Sequence, residues 1–182
     1  QYAMKQAVNS FIEKATSADG THNMAIVTFG TDAKVLNSGW TKVDTEGAKA
    51  LTNAINGLSD KPTGATNVGA GMQKAQELMN SAKSDTNRQK VVIVFTDGVP
   101  TTTNEFDTDV ANSAITAAKS MKDAGVTVYT VGIFNGANPA QLHGDKFDRA
   151  GVKDNPCNGN VGEYWGYTNM KAWVAGGSES IR

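Results

Sequence analysis

Cysteine is all but missing from this sequence. Cys157 stands alone, which rules out an internal disulfide, and one thiol with two histidines is a poor supply of ligands for zinc. Long apolar runs are missing as well: the longest aliphatic and aromatic stretch, Val91 to Phe95, is five residues, against the roughly 20 that a membrane helix needs. No bilayer span is expected. Neither sign of charge prevails, because Lys+Arg 17 against Asp+Glu 18 leaves a formal net charge of -1. The basic excess that draws a protein to nucleic acid or to an anionic membrane surface is therefore lacking. No Asn-x-Ser/Thr triplet occurs, so nothing supports a glycosylated animal surface protein. The stretch from Gln1 to Val8 has neither the charged start nor the apolar core of a secretory signal, and it does not open with Met. It reads as the start of an excised segment and does not reveal the compartment.

What is present suits one compact domain spanning residues 1–182, since 182 residues with 39% hydrophobic content are enough for one core and short for two. Thr (19), Asn (16) and Gly (19) far outnumber Leu (5), a balance that favours strands, turns and loop-presented hydroxyls over helical bundles. Met4, Val8, Phe11 and Ala15 have helical spacing, ended by Asp19 and Gly20. Met24 to Phe29 and Lys34 to Ser38 are β-rich runs around the turn signal Gly30-Thr31-Asp32, and together they predict a hairpin. Two further helical stripes, Ala48 to Leu58 and Val68 to Met79, flank a break at Lys61 to Gly64. Val91 to Phe95 shows no polar alternation and reads as a central parallel strand covered on both faces. A helix over Val110 to Ala124, closed by Gly125, and a strand from Val126 to Val131 complete a right-handed crossover. From Phe134 to Gly166 loop-forming residues dominate.

In an open α/β sheet, ligands bind beyond the carboxyl ends of the parallel strands. Two segments meet that condition. Phe95 to Thr101 puts Asp97 directly past a buried strand, although Asp97-Gly98 is also an ordinary turn pair. Thr63 to Gly69 presents Thr66 at the head of a helix, where Thr66 or Asn67 is equally an N-cap candidate. A carboxylate and a hydroxyl are hard oxygen donors of the kind Mg²⁺ accepts while keeping several waters. The pairing favours a hard-cation site over zinc.

The order of these elements, with Gly64 to Gly71 ahead of one helix and Val91 to Gly98 and Val126 to Ile133 as strand motifs, resembles a von Willebrand factor type A (VWA) domain over about Met4 to Phe134. The resemblance implies a three-layer α/β/α Rossmann-like open sheet, mostly parallel with one antiparallel edge strand. It also implies a metal-ion-dependent adhesion site built from three loops. Thr66 matches the Thr of the second loop and Asp97 the Asp of the third, so by resemblance both hold Mg²⁺, with Mn²⁺ or Ca²⁺ as alternatives. Gly64, Asn67 and Gly98 then form a ligand-binding rim. The first loop of the family, Asp-x-Ser-x-Ser, occurs nowhere in the sequence. Its strand is expected upstream of Gln1 and at the middle of the sheet, between the Met24 and Val91 runs. Without that strand, buried backbone groups would cost about 1–3 kcal/mol each, and the segment is not expected to fold alone.

The tail, from Gly132 to Pro139 and from Ala172 to Ser178, resembles the type A domain of pilus tip adhesins of Gram-positive bacteria, with the last helix beyond the end of the chain. That resemblance implies a secreted, extracellular module on a bacterial cell surface or pilus tip, part of a larger surface protein. It would bind an acidic residue of a host or matrix protein through the metal and catalyse nothing. The alternative is a hydrolase or phosphotransfer-type α/β enzyme with Asp97 as its strand-end carboxylate. Lys61 is then the only cation near the binding end of either motif, thin support for a transferring phosphate. Gly64 to Gly71 lacks the Gly-Lys-Ser/Thr ending of a phosphate loop. His22 and His143 read as surface or loop residues, and Cys157 as an unpaired thiol. Tyr164, Trp165, Tyr167 and Trp173 read as packing for the late loop, with a ligand-contact surface as the competing role.

Overall fold

The computed structural model describes residues 2–37, 39–61, 63–82, 87–96, 100–102 and 107–132. The elements run in the order α1 (Tyr2–Ser17), β1 (Asn23–Met24), β2 (Val27–Phe29), β3 (Ala33–Val35), β4 (Thr41–Lys42), α2 (Thr45–Asn56), α3 (Val68–Ser81), β5 (Val91–Thr96), α4 (Thr108–Asp123) and β6 (Thr127–Gly132). Asp97, Gly98, His143, Cys157 and the four late aromatic residues lie outside the described residues, as do the tail segments that carry the pilus resemblance.

The strands lie between two helical layers, and the period-2 alternation of side chains shows how. Met24 and Ile26 pack into a cluster built on Ile12 of α1 and Leu51 and Ile55 of α2. Phe29, three residues past Ile26, packs instead against the cluster that joins Val68 and Met72 of α3 to β5, β6 and α4. The run from Met24 to Phe29 thus meets α1 and α2 on one face and α3 on the other, while α3 and α4 cover β5 and β6, in the layering of the expected α/β/α sandwich. α4 presents Ala111, Ala114 and Ala118 at 0% exposure, a row of small side chains that lets its axis come close to the neighbouring layer. α3 approaches α4 through Gly69, where an added Cβ would sit 2.8 Å from the Val110 carbonyl oxygen.

β5 and β6 are parallel, in register from Val91 opposite Thr127 to Thr96 opposite Gly132, with α4 as the crossover. β2 and β3 form the expected antiparallel hairpin, pairing Val27 with Val35 and Phe29 with Ala33. Two details differ from the sequence reading. The run from Met24 to Phe29 is divided, because Met24 pairs with Thr41 of β4 while Val27 turns to β3. β4 is two residues long, too short to show a period. Coverage of β5 and β6 is also uneven: Val92, Val94 and Val128 are buried under the helices, whereas on the opposite face Val91, Tyr129 and Val131 are 37%, 53% and 40% exposed. Among the described residues no ladder joins β2 to β5.

Candidate functional site

The loop from Thr63 to Asn67 lies between the turn of the hairpin and the segment after β5, and its hydrogen bonds fix it from both sides. On the hairpin side, Asn67 N donates to the Gly30 carbonyl at 2.8 Å, and Ala65 N donates to Thr31 Oγ1 at 3.2 Å. The Asn67 side-chain amide donates to the Thr31 carbonyl, also at 3.2 Å. On the β5 side, Thr66 N donates to Thr101 Oγ1 at 3.0 Å, and Thr101 N donates back to the Thr66 carbonyl at 3.0 Å. Gly64 makes the turn possible with φ +88, and a Cβ there would lie 2.6 Å from Thr31 Oγ1. Only glycine satisfies both conditions.

Of the two N-cap candidates, Asn67 takes the role: its Oδ1 accepts from Ala70 N at 2.9 Å at the head of α3. Both ends of the Asn67 amide are therefore engaged within the loop. Thr66, one residue earlier, is half-buried, and among the described residues its hydroxyl makes no hydrogen bond. A hard oxygen donor thus stands at the carboxyl end of the strands, held by its backbone to Thr101 in the segment that follows β5. Thr96, the last residue of β5, is 2% exposed and precedes Asp97 directly. Thr31 and Thr101 carry no local signal of this role: one stands in a turn and the other past a strand end, and their partners are 34 and 35 positions away.

Two carboxylates with lowered pKa lie outside this loop. The Gly47 amide, and after it Lys42, hold the carboxyl of Asp44 below the usual carboxylate range at the N-cap of α2. Lys5 does the same for Asp60, which it meets at 2.7 Å. The His22 ring lies 3.1 Å from the Asp19 carbonyl oxygen in the turn after α1, in keeping with a surface role. Among the described residues no three His, Cys, Asp or Glu side chains gather as a metal-binding group. The open polar groove between α1 and α2, lined by Asn9, Glu13, Thr16, Lys49 and Thr52, shares no residue with the Thr66 loop.

This arrangement of layers and strand-end loops is that of the von Willebrand factor type A domain, and the chain belongs to that family: the family model matches residues 2–148. Among solved structures, the chain is similar to the manganese-loaded TRAP protein of Plasmodium vivax, with a TM-score of 0.57 and 19% identity. The likeness covers 98% of this chain and 65% of that one, so the chain spans less than two-thirds of its neighbour, and what the two share is the fold. No curated protein sequence is similar enough to count as a match. No helix among the described residues is long and apolar enough to cross a membrane.

Proposed function

We propose that the domain is an extracellular ligand-binding module, not an enzyme, whose Thr66 loop holds a divalent cation. Mg²⁺ is the expected ion, with Mn²⁺ or Ca²⁺ as alternatives. The observation that carries this reading is the Thr66 hydroxyl, a hard oxygen donor at the carboxyl end of the strands that has no hydrogen bond among the described residues. Such donors suit small divalent cations. Asp97, following Thr96, is the proposed carboxylate partner of Thr66, and Gly64, Asn67 and Gly98 form the rim around them. A bound cation supplies positive charge and an open coordination position, at which an acidic side chain of a partner binds. The neighbour loaded with manganese is in keeping with a divalent-cation site on this fold.

The partner proposed is a host or extracellular-matrix protein, and the setting a bacterial cell surface or pilus tip, with this domain as part of a larger surface protein. We also propose that a further strand, carrying an Asp-x-Ser-x-Ser loop, occupies the interval between β2 and β5. The lack of a ladder between those strands among the described residues supports it. No observation favours the alternative of Asp97 as a catalytic carboxylate. Titration of the full-length protein with Mn²⁺, read by electron paramagnetic resonance, tests the site. Thr66→Ala and Asp97→Ala should each abolish the bound signal, and parent-like binding by either variant would refute the assignment of that residue.

A further inference from the structure

Among the described residues the Thr66 hydroxyl has no hydrogen bond of its own, so its direction comes from the backbone that carries it. A threonine on a fixed backbone has few χ1 wells to choose from. Whatever fixes the peptide units on either side of Thr66 therefore fixes the aim of its oxygen. Thr101 holds both: its hydroxyl accepts from Thr66 N at 3.0 Å and its own amide donates to the Thr66 carbonyl at 3.0 Å. Thr31 buttresses the preceding residue by accepting from Ala65 N at 3.2 Å. The amide half of the Thr101 clamp could come from any residue except proline. The hydroxyl half could not, since it needs a short side chain that accepts a hydrogen bond from where Cβ stands.

We propose that Thr101 is the positioning residue for the Thr66 hydroxyl, closing a two-bond clamp that ties the loop before α3 to the segment after β5. The proposal rests on the reading of Thr66 as a cation ligand. Small cations impose strict geometry: Mg²⁺ demands near-ideal octahedral coordination at about 2.0–2.1 Å, so a hydroxyl displaced by about 0.5 Å no longer ligates well. The residues that orient a ligand matter to affinity almost as much as the ligand does. Thr101 touches no cation in this scheme and acts only through Thr66.

Two variants of the full-length protein separate the roles. Thr101→Val removes the hydroxyl at nearly constant shape, and Thr101→Ser keeps it. Thr101→Val should weaken Mn²⁺ binding about 10-fold or more and speed hydrogen exchange of the Thr66 amide roughly tenfold. Thr101→Ser should stay within about twofold of the parent in both measurements, because the accepting oxygen is retained. Exchange of the α4 amides, measured in the same experiment, reports whether the fold is kept. Parent-like Mn²⁺ affinity in a folded Thr101→Val would overturn the positioning role, and so would a Thr101→Ser as impaired as Thr101→Val. A parent that binds no Mn²⁺ sinks the cation reading and the positioning role with it. The Thr66 amide exchange then still tells whether the clamp exists.

Discussion

Thr66 and Asn67 are neighbours with opposite relations to the fold. The Asn67 amide accepts from Ala70 N at 2.9 Å and donates to the Thr31 carbonyl at 3.2 Å, so its removal leaves a helix start and a loop without partners. The Thr66 hydroxyl has no such partner among the described residues. Asn67→Ala should therefore cost about 1 kcal/mol of stability, the usual value of a lost cap. Thr66→Ala should change stability by no more than about 0.5 kcal/mol while abolishing cation binding. Urea denaturation of both variants, paired with Mn²⁺ titration, checks the contrast. A Thr66→Ala as destabilised as Asn67→Ala would mean that the Thr66 side chain is structural. The sequence alone made Thr66 and Asn67 equal candidates for the cap, because a helix start accepts either residue. Only the hydrogen bonds of the folded loop distinguish them. Thr31 and Thr101 were illegible for a related reason, since their partners are far along the chain and no local spacing encodes such a contact.

The helices were the legible part of the fold. α1, α2, α3 and α4 each carry an apolar stripe at helical spacing, and their observed spans enclose the residues that defined the stripes except Leu58, just past the end of α2, and Ala124, the C-cap of α4. β1 and β4 escaped because a two-residue strand has no period, and what defines them is the pairing of Asn23 with Lys42 and Met24 with Thr41. Two predictions belong to this scale. At Gly69 in α3 a methyl group would gain about 1 kcal/mol in helix propensity. It would also meet the backbone carbonyl of Val110 at 2.8 Å and Ser113 Cβ at 3.0 Å. A backbone carbonyl cannot rotate away, so the overpacking cost of about 1–3 kcal/mol should win and Gly69→Ala should lower the melting temperature. A rise would show that α3 and α4 slide apart easily. At the start of α2, the Gly47 amide and Lys42 hold the Asp44 carboxyl below its ordinary value of 3.8. A depressed folded-state pKa means stability that is present above pH 3.8 and drains away as pH falls through the lower, folded-state value. Asp44→Asn keeps a capping acceptor but has nothing to titrate, so its stability should fall less steeply than that of the parent below pH 3.8. Parallel acid limbs for the two proteins would remove Asp44 from the account.

At the scale of the molecule, the question is what lies between β2 and β5. The α/β/α layering is clear from the two core clusters, and it brings both strands against α3, whose Met72 belongs to the same core as Val94, with Phe29 packed against it. Yet β2 has its ladder with β3 and β5 has its ladder with β6, and the described residues supply no third partner to either. The loop before α3 reaches from the Gly30 carbonyl to Thr101 across the same interval, so the carboxyl ends of the two strands are tied to one loop without being tied to each other. An empty interval between them would be costly, since each buried backbone group without a partner is worth about 1–3 kcal/mol and whole domains are stable by only about 5–15 kcal/mol. A strand seated there would pair both edges and bring its own loop to the Thr66 end of the sheet, where Asp-x-Ser-x-Ser would join Thr66 and Asp97 around one cation. The expected outcome is that a polypeptide of these 182 residues, purified without such a strand, unfolds gradually or aggregates on heating. A polypeptide that also contains the strand should melt cooperatively and gain melting temperature on addition of Mn²⁺. A sharp melt of the 182-residue polypeptide by itself, with β2 and β5 amides hydrogen-bonded directly to each other, would show that the two strands are neighbours. There would then be no interval for a strand to fill, and the cation site would have to be complete with Thr66 and Asp97 alone.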